Sequence, residues 1–470
     1  MAATAIPNPR HGLWESLKEA VRGSRQDYTE GSISRAILLL ATPMVLEMVM
    51  ESLFVIVNIF WVNRLGADAV ATVGLTESML TLVFSVAIGV SMSTTAMVAR
   101  RIGEKKPREA AIAGSQGILL GVFISILMGL PAWLLAPQLL EWMGAHPAQI
   151  AEGRNYTAIV LGCNVVVMLL FLNNGIFRGA GDASIAMRVL WVSNLINLVL
   201  DPCLIFGLGP FPELGITGAA ISTLIGRGTG VAWQLWMLTN GSGRVHIHLR
   251  DFRIVPDVLR TLVSVAWTGV LQFAIGHTSW IALVRMVSSF GSIPVAGYTV
   301  GIRIFIFALL PSWGLSGAAA TMVGQNLGAK KPERAARAVY LTGLYNACFL
   351  ALVSLVFVFM PEMLVGFFTA DAGVARHAVD CLRIIGMGNV VYGFGMVMVQ
   401  AFNGAGDTRT PTVVNVVGFW LCEIPLAWAL AYPAGFGVRG VFMSIPLAHI
   451  VITALGVTMF LRGGWKKKAI

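Results

Sequence analysis

The stretch Phe177-Arg-Gly-Ala-Gly-Asp182 recurs 225 residues later as Phe402-Asn-Gly-Ala-Gly-Asp407. At the same offset of 225 residues, Gly103-Glu-Lys-Lys-Pro107 pairs with Gly328-Ala-Lys-Lys-Pro332. Apolar runs of about 20 residues flank these segments, and a run of that length crosses a bilayer as a helix. The sequence therefore predicts one membrane-embedded unit that is written twice. Such duplication is typical of transporters whose site lies between the repeats.

The composition is that of an integral membrane protein. Hydrophobic residues make up 56% of the 470 residues and charged residues 12%, whereas a soluble domain has about 25% charged residues. The sequence contains no Gly-x-x-x-x-Gly-Lys-Ser/Thr phosphate loop, no Gly-x-Ser-x-Gly and no His-Glu-x-x-His. We therefore predict that the protein is not an enzyme, uses no cofactor and is not driven directly by ATP. An intramembrane enzyme is the least favoured class.

Twelve membrane spans are predicted, and the basic residues fix their orientation. The spans cover approximately residues 34–62, 69–98, 109–136, 150–176, 184–207, 214–240, 256–289, 294–322, 333–360, 375–400, 409–432 and 437–461. Loops on one side hold 25 Lys and Arg residues and loops on the other side hold 4, so the basic side is expected to face the cytoplasm. Each half then has six spans and enters the membrane in the same direction. We predict an all-α integral membrane protein with twelve transmembrane helices in two parallel six-helix repeats.

This arrangement divides the chain into five segments. They are a cytoplasmic N-terminal segment (1–32), a first six-helix lobe (33–240), a cytoplasmic linker (241–256), a second six-helix lobe (257–462) and a basic cytoplasmic tail (463–470). Residues 11–23 are predicted to form either an amphipathic helix on the inner leaflet or a frayed polar tail. The net charge of +10 is assigned to contact with anionic lipids, and no nucleic-acid partner is expected. The predicted location is the inner membrane, with both termini in the cytoplasm.

Asp201 is the strongest candidate for an ion-coupling residue. Asn194, Asn197 and Asp201 fall on one face of span five at i, i+3 and i+7, so two amides and a carboxylate converge. Pro202 cannot donate a backbone hydrogen bond and frees a nearby carbonyl as an additional ligand. Ionisable groups at the centre of a membrane helix cost about 2.5–3.5 kcal/mol each, so they usually serve a function. The cluster is suited to a proton or to Na+, and a structural polar cluster is the alternative.

Span one carries a second polar face. Its members at helical spacing are Glu47, Glu51, Phe54 and Asn58. Pro43, which precedes them, is the predicted hinge of this helix. Either carboxylate is suited to bind a cationic substrate or to relay protons, and internal pairing with a basic group is the alternative. At the 225-residue offset these carboxylates have no acidic counterparts, so coupling chemistry is expected in the first lobe alone.

These motifs, in this order, resemble the multidrug and toxic compound extrusion (MATE) family. The resemblance is carried by the repeated Gly-Ala-Gly-Asp loops, by Trp61-Val-Asn-Arg-Leu-Gly66 and by Asn197-x-x-x-Asp201-Pro202. It extends from about residue 33 to residue 462. It implies two six-helix lobes that form a V, and an exchange of amphipathic, mostly cationic drugs for protons or sodium.

The same resemblance implies site residues and shows two departures. It implies that Pro43 bends span one, that Asn197 and Asp201 belong to a first-lobe cavity, and that span four contributes Asn173 or Asn174. The first departure is that Asn58 stands where similar prokaryotic members have an Asp, so Glu51 or Glu47 would have to substitute for it. The second departure lies in span seven, where Gly276 and His277 stand near the Glu of some sodium-coupled members. The first departure weakens a two-carboxylate site and the second argues against a sodium site in the second lobe, so both coupling ions stay open and protons are preferred.

The predicted function is export of cationic drugs or toxic metabolites in exchange for protons, with sodium as the alternative coupling ion. Ion coupling is assigned to Asp201, Asn197, Asn58 and Glu51, with Asp201 and Asn197 as the ligands of Na+. The substrate cavity is assigned to Glu47, Glu51, Phe54, Asn173, Asn174 and Asn194. A flippase or exporter of a lipid-linked or polar metabolite is the alternative, and it would favour a basic cavity where this one is expected to be acidic. The expected partners are small cations and membrane lipids, and the protein is expected to be a monomer.

Overall fold

The computed structural model describes residues 13–24, 26–241, 243–468 and 470. Its helices are α1 (Leu13–Arg22), α2 (Ile33–Val62), α3 (Ala67–Gly103), α4 (Pro107–Leu134), α5 (Ala136–Trp142), α6 (Pro147–Gly162), α7 (Asn164–Ala180), α8 (Ala183–Phe206), α9 (Gly215–Thr239), α10 (Pro256–Ser288), α11 (Ser292–Gly328), α12 (Pro332–Phe359), α13 (Pro361–Gly366), α14 (Ala372–Gly386), α15 (Asn389–Gly404), α16 (Arg409–Asn415), α17 (Ile424–Ala431) and α18 (Val438–Leu461). A π-helix, Val416–Glu423, joins α16 to α17. Within the described residues there is no strand.

The prediction of twelve transmembrane helices is confirmed. Within the described residues, ten stretches are long and apolar enough to cross a membrane, and α14 with α15 forms an eleventh through a bend of 60°. The twelfth is α9, which has 25 residues and carries Arg227 at its middle. The chain is therefore a multi-pass membrane protein. Near the N-terminus, residues 11–23 are helical over most of their length, because α1 covers Leu13–Arg22. His11 and Gly12 lie outside the described residues.

The duplicated Lys-Lys-Pro segments make the same turn in both lobes. Lys105 and Lys330 adopt left-handed φ values of 62° and 59° and end the preceding helices. Pro107 and Pro332 then begin α4 and α12, where the missing proline N–H costs nothing and its fixed φ suits a first helical turn. The sequence repeat is thus a repeat of helix boundaries.

Spans four and ten differ from the prediction of single continuous helices. Span four is broken at Cys163 between α6 and α7. Span ten is broken 225 residues later, at Gly388 between α14 and α15. A Cβ on Gly388 would lie 2.4 Å from Pro446 of α18, so the break lets two helices approach more closely than a side chain would allow. This cause lies in tertiary packing, which periodicity does not reveal.

The lobes touch through two contacts that the internal repeat relates. A Cβ on Gly314 of α11 would lie 2.6 Å from the carbonyl oxygen of Met44 on α2. At the related position in the other lobe, a Cβ on Gly89 of α3 would lie 2.7 Å from the backbone nitrogen of Val270 on α10. All four residues lie in the half of their helix that is nearer the basic loops. The two lobes therefore form a V that is closed on the basic side.

A segment before α2, the N-terminal strap (residues 26–32), crosses the closed end of the V. On the first lobe, the Tyr28 hydroxyl donates to the Gly181 carbonyl oxygen over 3.3 Å, and Lys105 bonds the Asp27 carboxylate. On the second lobe, Arg334 Nη2 donates to the Glu30 carbonyl oxygen over 2.7 Å. The strap therefore holds both lobes at the same end.

Candidate functional site

A polar stripe on α9 organises the candidate site. Thr223, Arg227 and Gln234 lie at i, i+4 and i+11 and so share one helix face, with Ser222 beside Thr223. We call these four residues the α9 stripe. Each part of the stripe contacts a different polar group of the first lobe, and these groups follow one another from the end of α9 that is farther from the basic loops toward the end that is nearer to them.

The outermost group surrounds Asp201. Its carboxylate is fully buried, and Ser222 Oγ donates a hydrogen bond to Oδ1. Asn197 Nδ2 lies 3.3 Å from the hydroxyls of both Ser222 and Thr223. The other carboxylate oxygen, Oδ2 of Asp201, is buried without a hydrogen-bond partner in the described part of the chain. Since a buried unpaired carboxylate is costly, this oxygen is a place for a proton or a cation.

The middle group is an ion pair between α9 and α2. Arg227 Nη2 donates to Glu51 Oε1 over 2.9 Å, and the guanidinium lies 4.9 Å from the centre of the Phe54 ring. The Arg227 side chain is 8% exposed and that of Glu51 is 26% exposed. The guanidinium therefore already neutralises Glu51 and has an aromatic face beneath it.

The third group lies closer to the basic side. Asn174 Nδ2 donates to Glu47 Oε1 over 3.0 Å, and Gln234 Nε2 donates to Asn174 Oδ1 over 2.6 Å. Arg178 Nη1 stands 4.0 Å from the same Glu47 oxygen. Glu47 is 2% exposed, and its Oε2 is buried with no hydrogen bond inside the described segments.

The remaining predicted site residues lie outside these three groups. Asn194 is buried and donates to the Met50 carbonyl oxygen of α2 over 3.4 Å. Asn173 is buried as well, and neither polar atom of its side chain has a partner among the residues described. Asn58 is half-buried on α2, and Pro43 is buried within the same unbroken helix. Of the two span-four amides, only Asn174 reaches a carboxylate.

Sequence reasoning missed the partners of the carboxylates. Arg178, Arg227, Ser222 and Gln234 are not among the site residues that the sequence predicts. A signal for the α9 stripe existed in the spacing of Thr223, Arg227 and Gln234 along one face. Its significance depends on which helix faces it, and the sequence alone does not give that.

These partners correct the expectation of an acidic cavity. Glu47, Glu51 and Asp201 carry three negative charges when ionised, whereas Arg178 and Arg227 carry two positive charges. One negative charge remains, and it belongs to Asp201 because the other two carboxylates have basic neighbours. The second lobe also holds a buried carboxylate, Glu423, which accepts a hydrogen bond from Ser279 Oγ over 2.6 Å. It lies in the π-helix of span eleven and not at the position that matches Asp201.

Known proteins share this architecture. The curated protein "Probable multidrug resistance protein NorM" of Thermotoga maritima is 23% identical over 441 residues, which cover 93% of this chain and 94% of that protein. The "FAD transporter" of Shewanella oneidensis is 25% identical over 436 residues, covering 91% and 94%. The crystal structure of MATE in complex with MaL6 superposes with a TM-score of 0.88 at 23% identity and covers 94% of this chain and 99% of that one. A transporter of the MOP superfamily from Pyrococcus furiosus, described as having a binding pocket of reverse polarity, superposes with a TM-score of 0.87 at 23% identity and covers 94% and 98%.

The family model matches both halves of the repeat. It covers residues 43–203 and 270–429, and these ranges include all three polar groups except for their α9 partners. Since the matched ranges make up more than half of the chain, and since the fold is that of MATE transporters, the chain belongs to the MatE family of membrane transporters.

Proposed function

We propose that this protein is a multidrug efflux antiporter, which exports amphipathic and mostly cationic compounds in exchange for protons. The observation that carries the proposal is the buried Asp201 carboxylate, whose Oδ2 has no partner in the described residues. The names of the NorM relatives support the efflux of drugs. The site of exchange is Asp201 with Asn197 and Ser222, in the first lobe.

A single uncompensated charge explains how exchange is enforced. A monocationic substrate near Asp201 neutralises the remaining charge of the site, and so does a proton on Oδ2. Both together would leave the substrate in a low-dielectric site without a counter-charge, which is costly. The proton therefore displaces the substrate while the V is open outward, and the lobes then close around the protonated carboxyl.

The membrane potential and the pH gradient supply the energy. A charge that moves inward across 100 mV supplies about 2.3 kcal/mol, and a tenfold concentration gradient costs about 1.4 kcal/mol. An exchange of one proton for one monocation moves no net charge, so Asp201 alone ties export to the pH gradient.

Sodium is the alternative coupling ion at the same place. Asp201 Oδ2 together with the side-chain oxygens of Asn197, Ser222 and Thr223 offers the oxygen ligands that hard cations require. Protons are favoured because they need a single oxygen, whereas Na+ needs several in a fixed arrangement. The location proposed for the protein is the inner membrane, with both termini in the cytoplasm and the monomer as the working unit.

The test is transport in proteoliposomes with an imposed pH gradient, with and without Na+. Asp201→Asn keeps the shape of the side chain and removes its charge, and we expect at least a tenfold loss of substrate-driven proton flux. Glu423→Gln is the matched control, because it neutralises a buried, serine-bonded carboxylate of the other lobe; its flux should stay near that of the wild type. Unchanged flux in Asp201→Asn would overturn the assignment, and a flux that requires Na+ would replace the proton by sodium.

A second candidate function is export of a polar or anionic metabolite. Arg227 favours it, because a guanidinium in the cavity can bind a carboxylate or phosphate that displaces Glu51. The named FAD transporter among the relatives is consistent with it. Thermal protection distinguishes the two functions: a cationic dye should raise the melting temperature of the wild type under our proposal, whereas only a flavin nucleotide should do so under the alternative.

A further inference from the structure

Glu47 lies where the two lobes cease to touch. Met44, one helical turn before it on α2, packs against Gly314 of the second lobe. One turn after it, the Glu51 side chain is 26% exposed, whereas the Glu47 side chain is 2% exposed. Glu47 is therefore sealed at the apex of the V, between the interlobe contact and the cleft.

The polar groups around the Glu47 carboxylate come from α7 and α9, and α8 packs against α2 through Trp191, which donates to the Leu46 carbonyl oxygen over 3.3 Å. Arg178 and Asn174 approach it from α7, and Gln234 of α9 fixes the Asn174 amide. On its own helix the nearest ionisable group is Glu51, which Arg227 neutralises. On the side of the second lobe, α11 presents Gly314 and Gly317, which carry no charge. Arg178 is thus the single cation beside Glu47 among the described residues, and at 4.0 Å it is not in hydrogen-bonding contact.

This group is separate from the one at Asp201. Ser222 and Gln234, which bond to the two groups, are twelve residues apart on α9, or about 18 Å along the helix axis. The Arg227–Glu51 pair lies between them. At about 18 Å along the helix axis, the two groups are too far apart to exchange a proton directly.

We propose that Glu47 is a second proton-coupling carboxylate, which is sealed while the lobes touch at Met44 and Gly314 and opens to the cytoplasm when they part. In the outward-open form, a proton that enters from the cleft past Glu51 is held on Oε2 of Glu47. When the lobes separate on the basic side, water reaches the carboxyl. The O–H bond then breaks, the proton leaves to cytoplasmic water, and Arg178 remains as the counter-ion of the carboxylate. This inference rests on the proposed antiport and adds one proton to it.

The consequence is that exchange carries charge. Two inward protons against one outward monocation move one net positive charge inward in each cycle, so the rate depends on membrane potential as well as on pH. With Asp201 alone, the exchange is electroneutral. Voltage dependence therefore separates a coupling role of Glu47 from a structural one.

The experiment uses the full chain in liposomes, with ethidium as the first monocation in a panel of dyes and with the potential set by K+ and valinomycin. We expect the wild type to exchange two protons per dye and to slow several-fold when the inside-negative potential is removed. Glu47→Gln keeps the acceptor for Asn174, and it should exchange one proton per dye with no voltage dependence. Glu47→Asp keeps the acid and should retain both properties. Ser312→Ala removes a buried hydrogen bond of the second lobe, to Asn346 Oδ1, and should lower the melting temperature without changing the ratio.

Several results would overturn this inference. An unchanged ratio and voltage dependence in Glu47→Gln would assign Glu47 a structural role, and a changed ratio in Ser312→Ala would show that the loss of a buried hydrogen bond alone alters the ratio. If Glu47→Gln does not fold, electroneutral exchange by the wild type suffices to overturn the inference. The proposed function fails separately: it falls if the wild type shows no dye-driven proton flux, or if Asp201→Asn retains that flux.

Discussion

Arg227 and Glu51 form an ion pair inside the membrane-spanning part of the first lobe, with Nη2 and Oε1 2.9 Å apart. The pair joins α9 to α2, which are two helices of the same lobe. Because the guanidinium already neutralises Glu51, this carboxylate is not available to bind a cationic substrate. The uncompensated charge of the three polar groups is left on Asp201, so the proposed substrate site carries one net negative charge rather than three.

The first prediction follows from removing the cation of this pair. Arg227→Gln leaves Glu51 unpaired, so the cavity carries two uncompensated negative charges. We expect the preference for a dicationic over a monocationic dye to rise about tenfold, which corresponds to about 1.4 kcal/mol. Fluorescence titration of the purified variant measures this preference. The double variant Arg227→Gln/Glu51→Gln should return to the preference of the wild type, and an unchanged preference in the single variant would contradict the charge balance.

The second prediction concerns the carboxylate of the same pair. Glu51→Gln leaves a buried guanidinium without its counter-charge, and breaking one side of a buried ion pair costs about 3–5 kcal/mol when burial is complete. The Glu51 side chain is 26% exposed, so a smaller loss is expected. The melting temperature should fall, and monocation affinity should drop at least several-fold. Equal melting temperatures of Glu51→Gln and the double variant would show that the unpaired guanidinium is not the cause.

Much of this architecture could be predicted from the sequence, because membrane helices have a strong local signal. Apolar length and the distribution of basic residues gave the twelve helices and the two parallel repeats. The Lys-Lys-Pro segments gave the starts of α4 and α12. The convergence of Asn197 and Asp201 followed from helical spacing, and in the structure both residues reach Ser222.

The rest depended on which helices face each other. Glu47 and Arg178 are 131 positions apart in the sequence, and Glu51 and Arg227 are 176 apart, so local patterns do not reveal these neighbours. The pairing of Arg227 with Glu51 depends on the packing of α9 against α2. The break in span ten also goes with close helix packing, as the contact of Gly388 with Pro446 shows.

The third prediction concerns the N-terminal strap and its hold on the second lobe. Arg334 donates to the Glu30 and Gly31 carbonyl oxygens over 2.7 and 2.8 Å, and these bonds cross from one lobe to the segment that is tied to the other. Arg334→Gln should weaken closure on the basic side and raise the inward-open population several-fold. Distances between spin labels on the basic ends of α4 and α12 measure this inward-open population. Arg337→Gln, an exposed arginine on the same helix, is the control and should leave the distances unchanged.

The fourth prediction is that the strap holds across a wide range of pH. Burial alone would raise the pKa of Asp27, but hydrogen bonds from Lys105 and Thr29 outweigh it and lower that pKa from 3.8 to about 2. Its contribution is therefore present above pH 3.8 and is lost as the pH falls toward 2. Burial raises the pKa of Tyr28 to about 12, so its hydroxyl still donates at pH 10. Closure measured by the same spin labels should be constant from about pH 5 to pH 9 in Asp201→Asn/Glu47→Gln, where neither proposed coupling carboxylate titrates; a transition near neutral pH would show that another group controls the strap.

The fifth prediction uses two glycines of α11 that face the same residue of the other lobe. A Cβ on Gly314 would lie 2.6 Å from the Met44 carbonyl oxygen, whereas a Cβ on Gly317 would lie 3.5 Å from the Met44 sulfur. A methyl group on Gly314 would collide with rigid backbone and would force the lobes apart. A methyl group on Gly317 would make an ordinary contact with a flexible side chain. Gly314→Ala should therefore loosen the basic side of the V, expose Glu47 to the cytoplasm and let protons leak without substrate. Gly317→Ala should keep tight coupling, because its methyl group needs no movement of the backbone. Proton leak in liposomes without dye measures both variants, and equal leak in the two would mean that the contact of Gly314 with Met44 does not hold the lobes closed.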